Sequence, residues 1–450
     1  MKKWLKRLGF VVLFGVVVIA VASYKWRSEL SILLGTEKVE GKTYPIPAPR
    51  IGKLPALTKG ENDWPSWRGA KGDGRSAVTG IKTDWSDGLK KLWSVDYLCH
   101  GEEGASWSAP VIVGEHLVVS GRTDTEDLLF CLHTKDGSLL WKSGYSANCQ
   151  SSHGAGPRAT PVIDGDRVYT FGRSGDVVCW KVFDGKKVWH ENVTDEGGKE
   201  PEWGHSSSPI VWQNLLILHG GGGARSIAYD KMTGKVAWKT GSGEAGYAPL
   251  VVTTVENTTC LVSFHGSGLA LLEAKSGKEL WNIPWETDYS VNATTPVIEG
   301  ENVFISSGYN KGCALVKMTL AKGTILYESK VIASHHSDPY ILDGFLYSYS
   351  GQSFQNRGSF KCIELKSGEL KWSSNEMGWG TCLYIDGHLL CCDIKGNLYL
   401  MKPEPEKFNK IAELKKALGP DVKPAWTVPV VANDQLYLRY KKTLVAYAIK

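Results

Sequence analysis

The sequence repeats an eleven-residue pattern that ends on a large aromatic residue, and this repeat constrains the fold more than any other feature. The fullest copy runs from Ala228 to Trp238 (AYDKMTGKVAW). A glycine lies four residues before each aromatic residue, and successive glycines are 43 to 49 residues apart. A fixed period in this range is typical of stacked units that bury their apolar faces against one another. The glycine and aromatic pairs are Gly137 and Trp141, Gly185 and Trp189, Gly234 and Trp238, Gly277 and Trp281, Gly323 and Tyr327, and Gly368 and Trp372.

Each repeat contains four predicted strands. Between Thr160 and Trp189, short apolar stretches alternate with turn signals at Asp164-Gly-Asp, Arg173-Ser-Gly-Asp and Asp184-Gly-Lys. Turn residues of this kind between alternating apolar runs predict antiparallel hairpins. Four antiparallel strands in about 45 residues form one blade of a β-propeller.

The number of blades follows from the first strand of each repeat. This strand begins with proline in seven copies, which is tolerated because the first residue of a strand needs no ladder donor. An eighth copy begins at Cys382, and the last unit, from Val428 to Ile449, has residues for only three strands. Lys91–Val95, upstream of the first copy, supplies the fourth. The sequence therefore predicts an all-β, eight-bladed β-propeller of four-stranded antiparallel blades over residues 61–450, closed by an N-terminal strand that completes the last blade. The seven prolines are Pro110, Pro161, Pro209, Pro249, Pro296, Pro339 and Pro429.

Blade seven departs from the pattern. The segment from Pro403 to Leu414 lacks the glycine and tryptophan of the repeat. It is compatible with an amphipathic helix or with a modified fourth strand, and we favour the strand because the blade needs one.

The N-terminus carries the features of an export segment. A basic stretch from Met1 to Arg7 precedes an apolar run over residues 8–24, and Ala20-Val-Ala22 offers a cleavage site. Residues 1–25 are therefore either an uncleaved membrane anchor, which we favour, or a cleaved signal peptide. Residues 26–60 form a proline-rich tether. Both alternatives place the propeller outside the cytoplasm, in the bacterial periplasm or cell envelope, and the first anchors it to the inner membrane through residues 8–24.

The charge of the chain is concentrated before the predicted propeller. The net charge is +5 at pH 7, but residues 1–53 contain ten Lys and Arg against three Asp and Glu. The remainder is close to neutral and lacks the basic surface of a nucleic-acid-binding protein.

The repeat A-x-D-x-x-T-G-x-x-x-W resembles that of propellers that bind pyrroloquinoline quinone (PQQ), and of their non-enzymatic BamB-like relatives in outer-membrane protein assembly. The resemblance covers about residues 61–450. It includes Trp64-Pro-Ser-Trp67-Arg68-Gly69, which is similar to the leading motif of many exported bacterial members. It implies the fold more strongly than an activity, because one fold supports many functions.

The residues just before each first strand are expected to surround one mouth of the central channel. Reading back from each strand start, and including a neighbouring tyrosine, gives an aromatic and polar set of the kind found at ligand and partner sites. The alternative is that these residues, the tryptophans above all, only pack between blades. The candidate rim residues are Trp107, Arg158, His205, Tyr247, Asn292, His335, His336, Trp379 and Trp426.

Cysteine and histidine pairs raise three further hypotheses. Cys391-Cys392 resembles the vicinal disulfide that stacks on the cofactor in some PQQ alcohol dehydrogenases, but its position in a predicted strand favours buried apolar side chains. Cys99 and Cys149 fall in equivalent loops and suit a disulfide in an oxidising compartment. Adjacent histidines in an extended segment point to opposite faces, so we predict no metal site at His335 and His336.

Two functions remain open. The first is a non-catalytic, membrane-tethered scaffold that binds cell-envelope proteins or peptides, without a cofactor and without nucleic acid. The alternative is a PQQ- and calcium-dependent alcohol or sugar dehydrogenase. The resemblance implies that such enzymes hold calcium through Glu, Asn and Asp side chains and use an Asp base. The predicted rim offers only Asn292 and Asp338 and no glutamate, so we predict no catalytic residues and favour the scaffold.

Overall fold

A computed structural model describes residues 45–450 except 51–55, 59, 102–103, 148, 150, 152 and 353–356. The predicted anchor or signal peptide at residues 1–25 and the tether up to residue 44 lie outside the described residues. Within the described ranges, no helix is both long enough and apolar enough to cross a membrane.

The described chain forms eight antiparallel sheets, each with a core of four strands in which neighbours along the chain pair with each other. This confirms the predicted eight-bladed propeller. Blades one to six are β3–β6, β7–β10, β11–β14, β15–β18, β19–β22 and β23–β26; blade seven is β27–β30 and blade eight is β31–β33 with β2. The strands are β1 Arg75–Ser76, β2 Lys91–Val95, β3 Val111–Val113, β4 His116–Arg122, β5 Glu126–His133, β6 Leu139–Ser146, β7 Val162–Asp164, β8 Arg167–Phe171, β9 Asp176–Lys181, β10 Lys187–Asn192, β11 Ile210–Trp212, β12 Leu215–Leu218, β13 Ser226–Asp230, β14 Val236–Thr240, β15 Val251–Val255, β16 Thr258–His265, β17 Gly268–Glu273, β18 Glu279–Pro284, β19 Val297–Glu299, β20 Asn302–Ser307, β21 Gly312–Met318, β22 Gly323–Ser329, β23 Tyr340–Leu342, β24 Phe345–Gln352, β25 Arg357–Glu364, β26 Leu370–Ser374, β27 Gly380–Ile385, β28 His388–Asp393, β29 Leu398–Met401, β30 Lys410–Leu414, β31 Val430–Ala432, β32 Gln435–Tyr440 and β33 Thr443–Ala448; the 3₁₀ helices are Val193–Glu196 and Asp288–Ser290.

The ring closes as predicted. Strand β2 pairs antiparallel with β33, with Trp93 opposite Ala446 and Val95 opposite Leu444. The N-terminal strand thus completes blade eight, and both edges of β33 are paired. In blade seven, β30 pairs with β29 as the fourth strand, which confirms the strand rather than the helix at this position.

The repeated aromatic residue joins each blade to the next. Trp141 of blade one donates a hydrogen bond from Nε1 to the carbonyl of Val182 in blade two at 2.8 Å, and Trp189 of blade two donates to Lys231 of blade three at 3.1 Å. The glycine of the following repeat lies under the ring: a Cβ on Gly185 would be 2.5 Å from the Trp141 ring. The eleven-residue pattern therefore encodes a contact between blades, which we call the blade latch.

Substitution of a latch glycine tests this interpretation. Gly185→Ala combines a left-handed backbone (φ 67°) with a clash against Trp141, and we expect it to lower the free energy of unfolding by about 2–4 kcal/mol. Gly165→Ala is the matched control, because Gly165 has φ 58° in the same blade but no atom within 4 Å of an added Cβ. Its cost should stay near the backbone contribution of about 1–2 kcal/mol. Equal costs in urea unfolding of the two variants would contradict the latch.

The N-terminal residues 60–81, here called the plug, cross the central channel. Trp64 forms an antiparallel bridge with Ile112 of blade one, with N···O distances of 2.8 and 2.9 Å. Strand β1 pairs in parallel with the inner strand β27 of blade seven, with Arg75 opposite Tyr384. Because the inner strand of each blade faces the channel, these pairings place the plug inside it.

Polar contacts hold the middle of the plug. Trp67 donates a hydrogen bond from Nε1 to Thr295 Oγ1 at 3.0 Å. Arg68 forms a buried ion pair with Asp338 at 2.9 Å, and its guanidinium lies 5.0 Å from the Tyr340 ring centroid. The leading Trp-Pro-Ser-Trp-Arg-Gly motif therefore holds the plug inside the central channel.

Candidate functional site

Ring-bearing side chains line the channel mouth formed by the loops that precede the first strands. Most come from those loops, and Tyr309 comes from the turn between the second and third strands of blade five. In a four-stranded antiparallel blade both kinds of connection lie at the same end. We call this set the collar: Trp107, His153, Trp203, Tyr289, Tyr309, His335, His336 and Trp426.

The collar forms a continuous circle. Its ring centroids lie 4.8 to 6.2 Å from their neighbours in the order Trp107, Trp426, His336, His335, Tyr309, Tyr289, Trp203 and His153. A hydrogen bond of 2.9 Å from Trp107 Nε1 to the carbonyl of His153 closes it. Centroid distances in this range are those of favourable aromatic pairs.

Arg158 braces one side of the collar. It donates to the carbonyl of Trp203 at 2.6 Å and to those of His153 and Gly154 at 3.4 Å. Burial, and after it the charge of Arg173, lowers the pKa of Arg158 to about 10. The guanidinium therefore remains cationic at neutral pH.

Two collar tyrosines have a left-handed backbone. Tyr289 has φ 59° and Tyr309 has φ 53°. Bulky residues seldom adopt this conformation, which costs on the order of 1 kcal/mol and tends to occur where function requires it. Both rings nevertheless complete the circle, Tyr309 at 5.2 Å from His335 and Tyr289 at 6.2 Å from Trp203.

Two collar histidines, His335 and His336, are neutral at physiological pH. Burial lowers the pKa of His335 to about 4. Burial, followed by the charges of His335 and Arg158, lowers the pKa of His336 well below its ordinary value. This part of the mouth therefore presents neutral rings at His335 and His336, and Arg158 is a cation at the same mouth.

Several polar groups at this mouth can only donate hydrogen bonds. Arg158 Nε and the indole Nε1 atoms of Trp203, Trp379 and Trp426 are buried and have no hydrogen-bond partner among the described residues. A buried donor without a partner costs about 1–3 kcal/mol.

The predicted rim residues separate into two groups. Five of them lie in or against the collar: Trp107, Arg158, His335, His336 and Trp426. Trp379 is fully buried beneath it, with its ring centroid 4.5 Å from that of His336. The Tyr247 hydroxyl accepts a hydrogen bond from the backbone N–H of Trp203 at 3.3 Å.

The other two predicted residues lie in the interior. His205 is buried with its ring centroid 4.8 Å from that of Phe171. Asn292 is buried and donates to the carbonyls of His265 and Trp285 at 2.8 and 3.1 Å, while its Oδ1 accepts from Ser307 at 2.7 Å.

Sequence reasoning missed four members of the collar: His153, Trp203, Tyr289 and Tyr309. The first three belong to the same loops as the predicted residues but lie further from the strand start. Reading each whole loop would have found them. Tyr309 required the turns between the second and third strands to be counted as part of the same mouth.

The channel contains a small cavity below the collar and a larger one beside the plug. A cavity of about 30 Å³ lies between His336 and Trp426 on one side and the plug residues Trp67 and Arg68 on the other. This volume is close to that of one water molecule. A wider cavity of about 600 Å³ lies beside the plug, along the inner strands of blades one to four.

The residues of the mouth do not fit a calcium ion. Calcium takes six to eight oxygen ligands, mostly carboxylates and carbonyls. The side chain of Asn292 is fully engaged in hydrogen bonds, and Asp338 is paired with Arg68 of the plug. Among the described residues, no group of three or more His, Cys, Asp or Glu is arranged to hold a metal.

The structure also places the cysteines. Cys391 and Cys392 lie within β28, are buried, and contribute to two different core clusters. No disulfide joins Cys99 to Cys149, both of which are described. Instead, Cys99 Sγ donates to the carbonyl of Lys441 at 3.6 Å and Cys149 Sγ accepts from Arg173 at 2.8 Å. The structure therefore does not join this pair, and the two sulfur atoms lie against different arginine side chains, Arg439 and Arg173.

Comparisons with known proteins agree with the repeat. Residues 131–374, more than half of the chain, match the family described as outer membrane protein assembly factor BamB. None of the curated proteins searched matches the sequence.

Solved structures share the fold at low identity. BamB from Moraxella catarrhalis is 13% identical with a TM-score of 0.57, covering 80% of this chain and 98% of that chain. The quinohemoprotein alcohol dehydrogenase from Comamonas testosteroni is 13% identical with a TM-score of 0.60, covering 86% and 80%. A quinohemoprotein alcohol dehydrogenase from Pseudomonas putida is 12% identical with a TM-score of 0.63, covering 88% and 83%. These similarities concern the fold, which catalytic and non-catalytic proteins share.

Proposed function

The chain belongs to the family described as outer membrane protein assembly factor BamB, and from this membership we propose that it is a non-catalytic scaffold of the bacterial cell envelope that binds an extended segment of a partner protein at the collar. The basic and apolar N-terminus supports the export and membrane tethering that this function requires.

The collar carries the proposal. It combines a closed circle of aromatic rings with the Arg158 guanidinium that lies against it. Aromatic faces bind apolar side chains with little loss of side-chain entropy, and a peptide supplies oxygen acceptors near the cation. Aromatic residues and arginine are also the residue types that dominate binding energy at protein interfaces.

The charges around the mouth indicate which kind of partner segment would bind best. Arg158 is a cation beside the circle, and burial keeps His335 and His336 neutral. Because a carboxylate forms stronger hydrogen bonds with arginine than a carbonyl does, the best ligand is a segment with an acidic group next to aromatic or apolar residues.

Crosslinking from the collar identifies the partner segment. A photoreactive residue at position 289, where the Tyr289 side chain is 56% exposed, should capture a partner in envelope preparations that contain the full chain. The captured segment is then synthesised, and its affinity for the purified chain is measured by calorimetry. We expect Arg158→Ala and Tyr289→Ala each to weaken binding by roughly 30-fold, about 2 kcal/mol, as for central residues of an interface.

The control is Leu326→Ala, which removes another exposed side chain (50%) from outer strand β22, away from the mouth. It should leave the affinity unchanged, and Tyr289→Ala and Leu326→Ala should unfold near the wild-type urea concentration. Arg158→Ala also removes the hydrogen bonds that brace the collar, so its affinity is compared only after circular dichroism shows that it has folded. Equal affinities for the collar variants and the control would contradict the collar as the binding site. Saturable binding of PQQ with calcium, followed by dye reduction with alcohols or aldoses, would replace the scaffold with the dehydrogenase.

A further inference from the structure

Blade seven brings two cysteines together on neighbouring strands. Cys382 of β27 pairs directly with Cys391 of β28 in the antiparallel register. Both side chains are buried, with 2% and 0% of their surface exposed, and they belong to the same core cluster. In the structure both are thiols. No function described so far uses this pair.

The hairpin fixes how closely the two residues approach. Asp386 and Gly387 have φ of 46° and 76°, the two left-handed residues of a type I′ turn. The turn is closed by Ile385 and His388, which form a hydrogen-bonded pair in such a hairpin. Hydrogen-bonded and non-hydrogen-bonded pairs alternate along an antiparallel ladder, so Cys382 and Cys391, three pairs away, form a non-hydrogen-bonded pair.

This kind of pair suits a disulfide. Residues opposite each other in a non-hydrogen-bonded pair have Cα atoms about 4.5 Å apart, with side chains on the same face of the sheet. Disulfides span Cα distances of about 4.4–6.8 Å. The backbone of blade seven can therefore accommodate the bond without rearrangement.

Cys392 is excluded as the partner of either residue. Successive residues of a strand point to opposite faces of the sheet. Cys392 accordingly lies opposite Thr381 and belongs to another core cluster, which it shares with Leu383. Cys392 therefore serves as the control for substitutions of Cys382 and Cys391.

We propose that Cys382 and Cys391 form a cross-strand disulfide when the chain folds in an oxidising compartment. The proposal rests on the export that the proposed function requires, because structural disulfides form outside the cytoplasm. The oxidant is a disulfide, either a small molecule or a protein. A thiolate of one cysteine attacks it and releases one thiol; the thiolate of the second cysteine then attacks the mixed disulfide and releases the other thiol. The products are one new disulfide, two reduced thiols of the oxidant and no net change in protons or electrons.

The bond has to form before blade seven closes. Thiol–disulfide exchange requires a thiolate. In the folded chain, burial, and after it the neighbouring Cys382 thiol, raises the pKa of Cys391 well above its ordinary value. The folded, reduced protein should therefore resist oxidation, whereas the folding chain should not.

The disulfide would stabilise blade seven, the blade that pairs with strand β1 of the plug. Strand β27 pairs with β28 on one side and with the plug strand β1 on the other. A covalent bond between β27 and β28 would hold the inner strand in the register that β1 requires, with Arg75 opposite Tyr384.

Refolding with glutathione disulfide tests the proposal. The full chain is unfolded and reduced, refolded with or without glutathione disulfide, and alkylated under denaturing conditions without reductant. We expect the oxidised sample to lose two alkylated cysteines relative to the reduced sample, and proteolysis to release a peptide in which residues 382 and 391 are linked. The linked product should resist unfolding at a higher urea concentration than the reduced product.

Single substitutions identify the pair. Cys382→Ala and Cys391→Ala should each abolish the loss of two alkylated cysteines, whereas Cys392→Ala should retain it. Circular dichroism establishes that each variant has refolded, and Cys→Ser variants replace any that has not. Failure of the wild type to lose two cysteines, or the same loss in Cys391→Ala, would overturn the proposal. Because this experiment uses purified protein and no peptide ligand, its failure is distinct from a failure of peptide binding at the collar.

Discussion

Replacement of Trp93 with alanine is expected to lower the free energy of unfolding by about 3–5 kcal/mol, the usual cost of removing a buried tryptophan. Trp93 lies in β2, the strand that completes blade eight. Its indole donates a hydrogen bond to the carbonyl of Thr134 in blade one at 2.8 Å, and a Cβ on Gly137 would lie 2.6 Å from its ring. Trp93 is therefore the latch that closes the ring between the last blade and the first.

Urea unfolding of the full chain measures this effect. Leu92→Ala is the matched control, because Leu92 is the preceding residue of the same strand and is 38% exposed. A change at an exposed position is expected to stay within about 0.5 kcal/mol. If Trp93→Ala and Leu92→Ala unfolded at similar urea concentrations, the closing latch would contribute little and the strand pairing alone would hold the ring.

Acidification from pH 7 to pH 5 should lower the free energy of unfolding by about 2 kcal/mol for each buried histidine whose pKa is strongly lowered in the folded state. His335 and His336 of the collar are two of these histidines, and three others lie in the interior. Burial, followed by neighbouring charges, lowers the pKa of His205 to about 3, of His219 to about 4 and of His265 to about 3. The charged groups that act on these rings include Arg173, which is paired with Glu200, and Arg225, which is paired with Glu279.

Acidification lowers the free energy of unfolding because the unfolded state binds more protons than the folded state. The folded chain keeps these rings neutral down to about pH 5, whereas the unfolded chain protonates them as the pH falls below about 6.5. Their contribution is complete above that pH and is lost as the pH falls toward the folded values.

Unfolding curves at pH 7, 6 and 5, at constant ionic strength, measure the loss. His219→Gln should reduce it by about 2 kcal/mol, since one proton-binding site of the unfolded state is removed. Leu326→Ala, at an exposed position that does not titrate, should leave the loss unchanged. The same pH dependence in wild type and His219→Gln would show that other groups control acid unfolding.

Much of the architecture followed from local chemistry. The hairpin turn at Asp164-Gly-Asp and the strand start at Pro161 depend on neighbours in sequence, so their meaning is visible without the fold. The number of blades and the role of Lys91–Val95 followed by counting strands. The blade latch could be predicted only in part. The sequence shows a glycine and a tryptophan in each repeat, but it does not show that Gly185 contacts Trp141 of the preceding repeat.

The candidate site was predictable only in part. Positions just before a first strand are repeated in sequence, which is why Trp107 and Trp426 could be placed at the mouth, and the structure puts their rings 4.8 Å apart. The sequence could not separate these residues from His205 and Asn292, which occupy similar positions but turn into the interior. The direction of a side chain in a loop depends on the backbone of that loop and on the blades beside it.

The sequence by itself therefore determined the ring, since a repeated pattern of strands, turns and latch residues can bury its apolar faces in only one way. The tertiary structure alone decided the plug and the collar. Trp67 meets Thr295, and Trp107 meets Trp426, across hundreds of residues. These contacts exist because closure of the ring brings the loops of all blades around one axis, and no local property of the chain encodes that proximity.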